Sequence, residues 1–121
     1  MIIMDILVTN NPLAAEKFKD KFLIDYTETG LLDVLICTRD YIHKGHKLLT
    51  HPLSGSVKPN ETIYKTVLIS SDPGALDLQS IDIIETGILT VQKFPVRQIN
   101  EKYIYDMQNI DMSLFNSALE S

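Results

Sequence analysis

The chain has one cysteine, Cys37, and no tryptophan among its 121 residues. A single cysteine excludes an internal disulfide and a cysteine-based zinc site, and it is typical of a reducing compartment. Basic residues are also scarce: 11 Lys and Arg stand against 16 Asp and Glu, giving a net charge of −5. Because no stretch is strongly basic, nucleic acid and anionic membranes are not expected as partners.

Long apolar runs are missing as well. No uncharged segment approaches the roughly 20 residues that a membrane-spanning helix needs. The first residues form a short apolar run that contains Asp5, without a basic leader or a small-residue cleavage site. We therefore expect no membrane span and a cytoplasmic location. With 45% hydrophobic residues, residues 1–121 are expected to form one domain around one core.

The apolar residues that are present predict an α/β fold. We expect a small three-layer domain in which helices flank a short, mainly parallel sheet of about four strands. The strands are predicted at residues 1–9, 22–26, 47–50 and 64–70. The helices are predicted from Pro12 to about Asp20, over about 30–44, from Ser80 to about Pro95, and in a C-terminal helical segment at about 103–120.

Local signals refine these elements. Asn11 is a suitable cap for the first helix, and Asp111 or Ser113 is a suitable start for the last. The second helix has an apolar stripe at the helical period, formed by Leu31, Val34, Leu35, Thr38 and Ile42. No helix separates the third and fourth strands, so an antiparallel return is the simpler connection, with a long irregular crossover as the alternative.

Polar residues follow several predicted strands where each strand ends. Ligands of open α/β sheets bind at the carboxyl ends of the strands, so we expect a binding site there. Hydroxyls, backbone N–H groups near a helix start and the cation of Lys58 suit a carboxylate or phosphate. The alternative is a well-capped structural loop. The predicted ligand-binding residues are Thr9, Asn10, Asn11, Thr50, His51, Ser54, Gly55, Ser56, Lys58 and Asn60.

The segment from Asp40 to Thr62 resembles the signature of the GrdX family, and Val8 to Leu13 and Leu76 to Leu78 are similar to it too. This resemblance implies an anaerobic bacterium and a gene placed with components of glycine, sarcosine or betaine reductase. It carries over no catalytic residue and implies no cofactor. The candidate catalytic residues, His51, Lys58 and Glu28, therefore come from their positions near the predicted strand ends.

The three histidines are not expected to bind a metal. His43 and His46 precede the predicted third strand and His51 follows it, so roughly 13 Å separates the two groups at the rise of a strand. Cys37 is expected to be structural. Its helical neighbours Asp33 and Asp40 raise rather than lower the pKa of a thiol.

Together these features favour an accessory or regulatory protein of the glycine reductase system that binds a small anion or a reductase component. One alternative is a small enzyme acting on a carboxylate or phosphorylated metabolite at the strand ends. Another is a purely structural interaction module. An exposed apolar surface around residues 103–119 would favour that last hypothesis.

Overall fold

The computed structural model describes residues 4–53, 63–93 and 100–120. These residues form a three-stranded sheet with helices on both faces. The elements in chain order are β1 (Ile6–Thr9), α1 (Pro12–Lys17), β2 (Leu23–Tyr26), α2 (Leu31–His43), β3 (Thr66–Ile69), α3 (Leu78–Gln92), a 3-10 turn (Glu101–Tyr103) and α4 (Ile104–Leu119).

The sheet is mixed, with the strand order β2-β1-β3. β1 pairs in parallel with β2, and Thr9 lies opposite Tyr26. β1 pairs in antiparallel with β3, and Thr9 lies opposite Thr66. The prediction of about four mainly parallel strands is therefore corrected to three strands in a mixed sheet. The carboxyl ends of β1 and β2 lie beside the amino end of β3, so these three strand ends meet at one edge of the sheet.

The predicted strand at residues 47–50 is wrong. Only Leu48 forms an isolated antiparallel bridge, to Ile69. The hydroxyl of Thr50 accepts a hydrogen bond from the backbone N–H of Leu68 at 3.0 Å. The N–H of Leu48 donates to the hydroxyl of Ser80 at 3.0 Å. Backbone bonds to β3 are present: the N–H of Leu49 donates to the carbonyl of Leu68 at 2.9 Å, and the N–H of Ser70 donates to the carbonyl of Lys47 at 2.8 Å. A regular ladder does not continue because the Thr50 hydroxyl takes the N–H of Leu68 in place of a backbone carbonyl.

Alternation along β1 and β3 divides the apolar residues between two faces. Ile6, Val8, Val67 and Ile69 pack against α2 and α3, and we call this cluster the α2–α3 core. Leu7 and Leu68 pack on the opposite face, with aromatic side chains of the α1 and α4 layer. All five residues of the predicted stripe of α2 are buried, which confirms that stripe.

The helix ends combine confirmed and corrected predictions. The Asn11 side chain caps α1 by accepting from the N–H of Leu13 at 3.1 Å, as predicted, although α1 ends at Lys17. Gly45 follows α2 with φ +106°, and a Cβ there would overlap the carbonyl oxygen of Gly74. Glycine is therefore required at this turn.

α3 begins earlier than predicted, and the C-terminal segment forms one helix without a new start at Asp111 or Ser113. Asp77, rather than Ser80, caps α3, because its carboxylate accepts from the N–H of Ser80 at 3.1 Å. α4 is continuous from Ile104 to Leu119, so Asp111 lies inside the helix and does not start it. The predicted end of α3 at Phe94 and Pro95 lies outside the described residues. None of the helices in the described ranges has the length and hydropathy to cross a bilayer.

Candidate ligand-binding site

Asn10 joins three chain segments at the sheet edge. Its side-chain amide donates to the carbonyls of Thr29 at 2.8 Å and Ile63 at 2.9 Å. Its amide oxygen accepts from the N–H of Lys65 at 2.8 Å. Both N–H groups and the oxygen are thus used within the fold. Asn10 therefore fixes the residues that follow β2 and precede β3 relative to the end of β1.

A concavity of about 330 Å³ lies at this junction, and we call it the edge pocket. It is lined by Asn10, Pro12, Tyr26, Glu28, Thr29, Ile63 and Tyr64. Its volume is within the lower part of the range for small-molecule sites. Its position agrees with the rule that ligands of α/β sheets bind beyond the carboxyl ends of parallel strands.

The polar groups of the edge pocket are acidic or neutral. Burial raises the pKa of Tyr26, and the negative charge of Glu28 and the nearby Tyr64 raise it further. The hydroxyl of Tyr64 accepts a hydrogen bond from the side chain of Gln108 at 3.1 Å, which links the pocket to α4. No Lys, Arg or His is among the described residues of the lining. Glu28 therefore sets the charge of this wall.

Beneath the edge pocket, a buried polar cluster joins β1, β3 and α4. The N–H of Asn11 donates to the hydroxyl of Thr9 at 2.9 Å, and that hydroxyl lies 2.8 Å from the hydroxyl of Thr66. Thr66 donates to the carboxylate of Asp111 at 2.7 Å. The side-chain amide of Asn11 also donates to Asp111, at 3.0 Å, which closes the circuit.

Asp111 is 1% exposed, so this carboxylate is held almost entirely out of water. Burial raises its pKa, and the hydrogen bonds from Asn11 and Thr66 and the charge of Lys65 act in the opposite direction. Lys65 is also buried, at 6% exposure, and burial lowers its pKa while Asp111 partly opposes that change. The charges of Lys65 and Asp111 favour each other, but burial disfavours the charged form of both groups more strongly.

A second, much smaller recess lies beside this polar cluster. It has a volume of about 10 Å³, roughly the space of one water molecule. His51, Lys65, Thr66 and Asp111 contribute its polar lining. His51 is exposed, and its Nδ1 accepts from the N–H of Leu53 at 3.1 Å. A recess of this size does not accommodate an organic substrate.

The family model for GrdX-like proteins matches residues 6–120. The chain belongs to the GrdX-like family. The resemblance seen in the sequence is therefore confirmed, and the match spans every residue that lines the edge pocket. No curated protein and no solved structure matches this GrdX-like protein.

The described residues of the predicted binding set occupy different places in this GrdX-like protein. Asn10 lines the edge pocket, as does the catalytic candidate Glu28. Thr9 and Asn11 belong to the buried polar cluster. Thr50 is buried against β3, and His51 lines the small recess. The remaining members, Ser54, Gly55, Ser56, Lys58 and Asn60, lie outside the described residues.

Sequence reasoning missed four residues of these sites. Tyr26 and Tyr64 line the edge pocket, and Lys65 and Asp111 are the buried charges. Lys65 had a usable signal, since a lysine inside an otherwise apolar strand segment needs a nearby partner. Asp111 had none, because its partners Asn11 and Thr66 are distant in the sequence.

Each histidine has its own local partner. The His43 imidazole lies 3.5 Å from the carboxylate of Glu85, and His46 Nδ1 lies 2.8 Å from the carbonyl of Ser70. Within the described ranges, no three His, Cys, Asp or Glu side chains are grouped for a metal ion.

Cys37 is half-buried on the α2–α3 side of the sheet. Burial raises the pKa of its thiol to about 11, and the charge of Asp25, at 3.8 Å from the sulfur, adds to this effect. Asp40 contributes less than Asp25. The direction expected from the sequence is confirmed, but its main causes are burial and a residue of β2. A thiol of this kind is a poor nucleophile at neutral pH.

A larger groove, of about 550 Å³, lies between α1 and α4. Its lining includes Leu13, Lys17, Tyr105, Asn109 and Ser113. Its described lining comes from α1 and α4 rather than from the strand ends and contains no buried polar side chain. We therefore take the smaller edge pocket as the candidate site, because fold position and organised hydrogen bonding both point to it.

Proposed function

We propose that the protein is a non-catalytic accessory or regulatory component of the glycine reductase system that binds a small molecule in the edge pocket. The observation that carries this proposal is the edge pocket itself, at the carboxyl ends of β1 and β2. The side chain of Asn10 holds the lining residues Thr29 and Ile63 together across the pocket. When a pocket is already ordered before binding, less conformational entropy is lost when the ligand enters.

The arrangement of the described residues favours binding over catalysis. Glu28 lines the edge pocket whereas His51 lines the small recess, so the two do not form an acid-base couple in one cavity. The edge pocket has no cysteine, lysine or histidine among its described lining residues. Glu28, Tyr26 and Tyr64 are of residue types that can also transfer protons. The preference for binding therefore rests on the separation of Glu28 from His51.

The sequence-based anion hypothesis depends on Lys58, which lies outside the described residues, and it stays a prediction. Asn11 gives it little support, since its amide hydrogen bonds to Asp111 and to the carbonyl of Gln108. The first helix has only six residues, and the N–H of Leu13 is already capped. The donors of the Asn11 amide and of Leu13 at the start of α1 are thus engaged in the fold.

Binding is tested with purified protein by thermal shift and calorimetry against glycine, sarcosine, betaine, acetate and phosphate. A ligand at 100 times its Kd adds about 2.7 kcal/mol of stability. Thr29→Trp places a large side chain in the edge pocket and should abolish binding. Ser113→Trp places the same side chain in the α1–α4 groove and serves as the matched control. Binding that survives Thr29→Trp and disappears in Ser113→Trp would move the site to that groove.

The cellular role is tested in a strain that lacks the gene and must grow by glycine reduction. We expect the wild type and Ser113→Trp to restore growth and Thr29→Trp to fail. Both variants must be folded, as shown by circular dichroism and thermal melting. Full complementation by a folded Thr29→Trp variant that binds no ligand would contradict the proposed role of the pocket.

A further inference from the structure

We propose that the ligand of the edge pocket carries a positively charged ammonium group, which Glu28 and the rings of Tyr26 and Tyr64 recognise. This inference rests on the proposed function, since it names the ligand class of the same pocket. It departs from the small anion expected from the sequence. The juxtaposition of one carboxylate with two aromatic side chains in a pocket of about 330 Å³ is the observation that carries it.

The charge of the wall is the first argument. Glu28 is the charged side chain of the described lining, and no basic side chain of that lining offsets it. A cation entering the pocket gains Coulomb attraction to this carboxylate, whereas an anion is repelled by it. Glu28 is exposed, so water and salt screen this attraction, and it is strongest at low ionic strength.

The two tyrosines supply the second argument. Aromatic faces attract ammonium groups through the ring quadrupole, and several rings with a carboxylate suit a methylated ammonium. Tyr26 is the last residue of β2, and Tyr64 precedes β3 across the pocket. Burial raises the pKa of Tyr26 most, and the smaller contributions of Glu28 and Tyr64 are consistent with the three groups lying close together.

The hydrogen-bond donors supply the third argument. Asn10 uses both amide hydrogens on the carbonyls of Thr29 and Ile63. Pro12 has no backbone N–H to offer. The Thr29 hydroxyl lies 3.1 Å from that of Thr27 and is exposed. The described lining therefore has no cationic donor, and the Asn10 amide hydrogens are already used. Its hydroxyls, on Tyr26, Tyr64 and Thr29, can accept as well as donate, so the charge of Glu28 decides in favour of a cation.

The decisive experiment compares molecules that differ only in charge. Choline and 3,3-dimethyl-1-butanol have the same shape, but the second has a neutral carbon in place of the ammonium nitrogen. Betaine and 3,3-dimethylbutanoate form a second such pair, in which both molecules keep the carboxylate. Titration calorimetry at low salt should show choline and betaine binding roughly tenfold or more tightly than their isosteres.

Variants locate the effect. Glu28→Gln should weaken choline binding roughly tenfold, since it removes the charge and keeps the shape. Tyr26→Leu should weaken it further than Tyr26→Phe, because only the leucine lacks a ring. Asp82→Asn, which removes an exposed charge from α3 outside the pocket lining, is the matched control and should bind choline as the wild type does.

The outcomes separate this inference from the proposed function. If the isosteres bind as tightly as choline and betaine, and Thr29→Trp abolishes that binding, the pocket is a ligand site without ammonium recognition and the inference is wrong. If acetate or 3,3-dimethylbutanoate binds and Glu28→Gln tightens it, the pocket is an anion site. If no probe binds in a manner sensitive to Thr29→Trp, both proposals fail.

Discussion

Thr38 and Thr66 are both buried threonines, but their hydroxyls act differently on the two faces of the sheet. In the α2–α3 layer, Thr38 donates to the carbonyl of Val34 in its own helix, and its surroundings are apolar. In the α1–α4 layer, Thr66 links Thr9 to Asp111 across three elements. The Thr38 hydroxyl is hydrogen-bonded within its own helix, whereas the Thr66 hydroxyl connects segments that are distant in the sequence.

This difference indicates how each helix layer is fixed on the sheet. The α2–α3 layer depends on apolar volume, which tolerates small shifts when other apolar residues can repack. The stability of the polar cluster of Asn11, Thr66 and Asp111 depends on hydrogen-bond geometry, because each donor and acceptor needs its own correctly placed partner. We infer that α4 has its register set by Asp111, in addition to the apolar contacts of Met112 and Phe115.

The largest expected effect is that of Asp111→Ala. It removes the acceptor of Asn11 and Thr66 and the charged partner of Lys65, so we expect a loss of about 3–5 kcal/mol in the free energy of unfolding. Chemical denaturation measures this loss. Asp111→Asn keeps the volume and one acceptor, and it should lose less stability while remaining clearly weaker than the wild type. An Asp111→Asn variant as stable as the wild type would contradict the claim that the hydrogen-bond geometry of Asp111 fixes α4.

On the apolar face, the free energy of unfolding should depend only on the volume of the buried side chain. Ile84 is fully buried in the α2–α3 core. Ile84→Ala should cost about 2–5 kcal/mol, and Ile84→Val should cost only about 0.5–1.5 kcal/mol. Denaturation of the two variants gives the comparison. Equal losses of stability in the two variants would show that this face does not depend on side-chain volume alone.

The two threonines provide a matched pair for the same substitution. Thr66→Val should cost about 1–3 kcal/mol, since it leaves Thr9 and the Asp111 carboxylate short of a hydrogen-bond partner. Thr38→Val should change stability by less than about 1 kcal/mol, because the carbonyl of Val34 keeps its place in the helix. Thermal melts of both variants test this. Similar losses would erase the distinction between the two faces.

The smallest expected effect concerns pH. The pKa of Asp111 is raised by burial from its usual 3.8, so its contribution to stability is fully present below about pH 3.8 and is lost as pH rises through the folded-state pKa. The stability of the wild type relative to Asp111→Asn should therefore fall as pH rises above about 3.8. Asp77, whose pKa is lowered by its hydrogen bond from Ser80, acts in the opposite direction in both proteins and cancels in the difference. A difference that rises with pH would contradict the assignment.

Local sequence signals predicted much of the fold and little of the polar chemistry. The stripe of α2 and the cap at Asn11 follow from residues close in sequence, and both are confirmed. Asp111 resembled a helix start because its role depends on Asn11, 100 residues away, and on Thr66, 45 residues away. The strand predicted at 47–50 failed for a related reason, since the side-chain hydroxyl of Thr50 takes the N–H of Leu68 there.

Among the described members of the predicted binding set, Asn10 alone lines the edge pocket, and the binding role of the set stays a prediction. The strand-end rule led to Asn10 and Glu28, and both line the edge pocket. It did not lead to Tyr26 or Tyr64, which look like ordinary strand residues in the sequence. The residue pattern shows that a strand ends, but the pairing of β1 with both β2 and β3 decides which side chains meet across the edge.

The thiol of Cys37 has a practical consequence for work on this protein. With a pKa of about 11, on the order of one molecule in ten thousand carries a thiolate at neutral pH. Alkylating probes should react with it slowly while a new, exposed cysteine reacts at its normal rate. A fluorophore can thus be attached through Thr27→Cys, next to the edge pocket, with Cys37 left in place. Ligand entry then becomes visible as an optical signal in the otherwise unaltered chain.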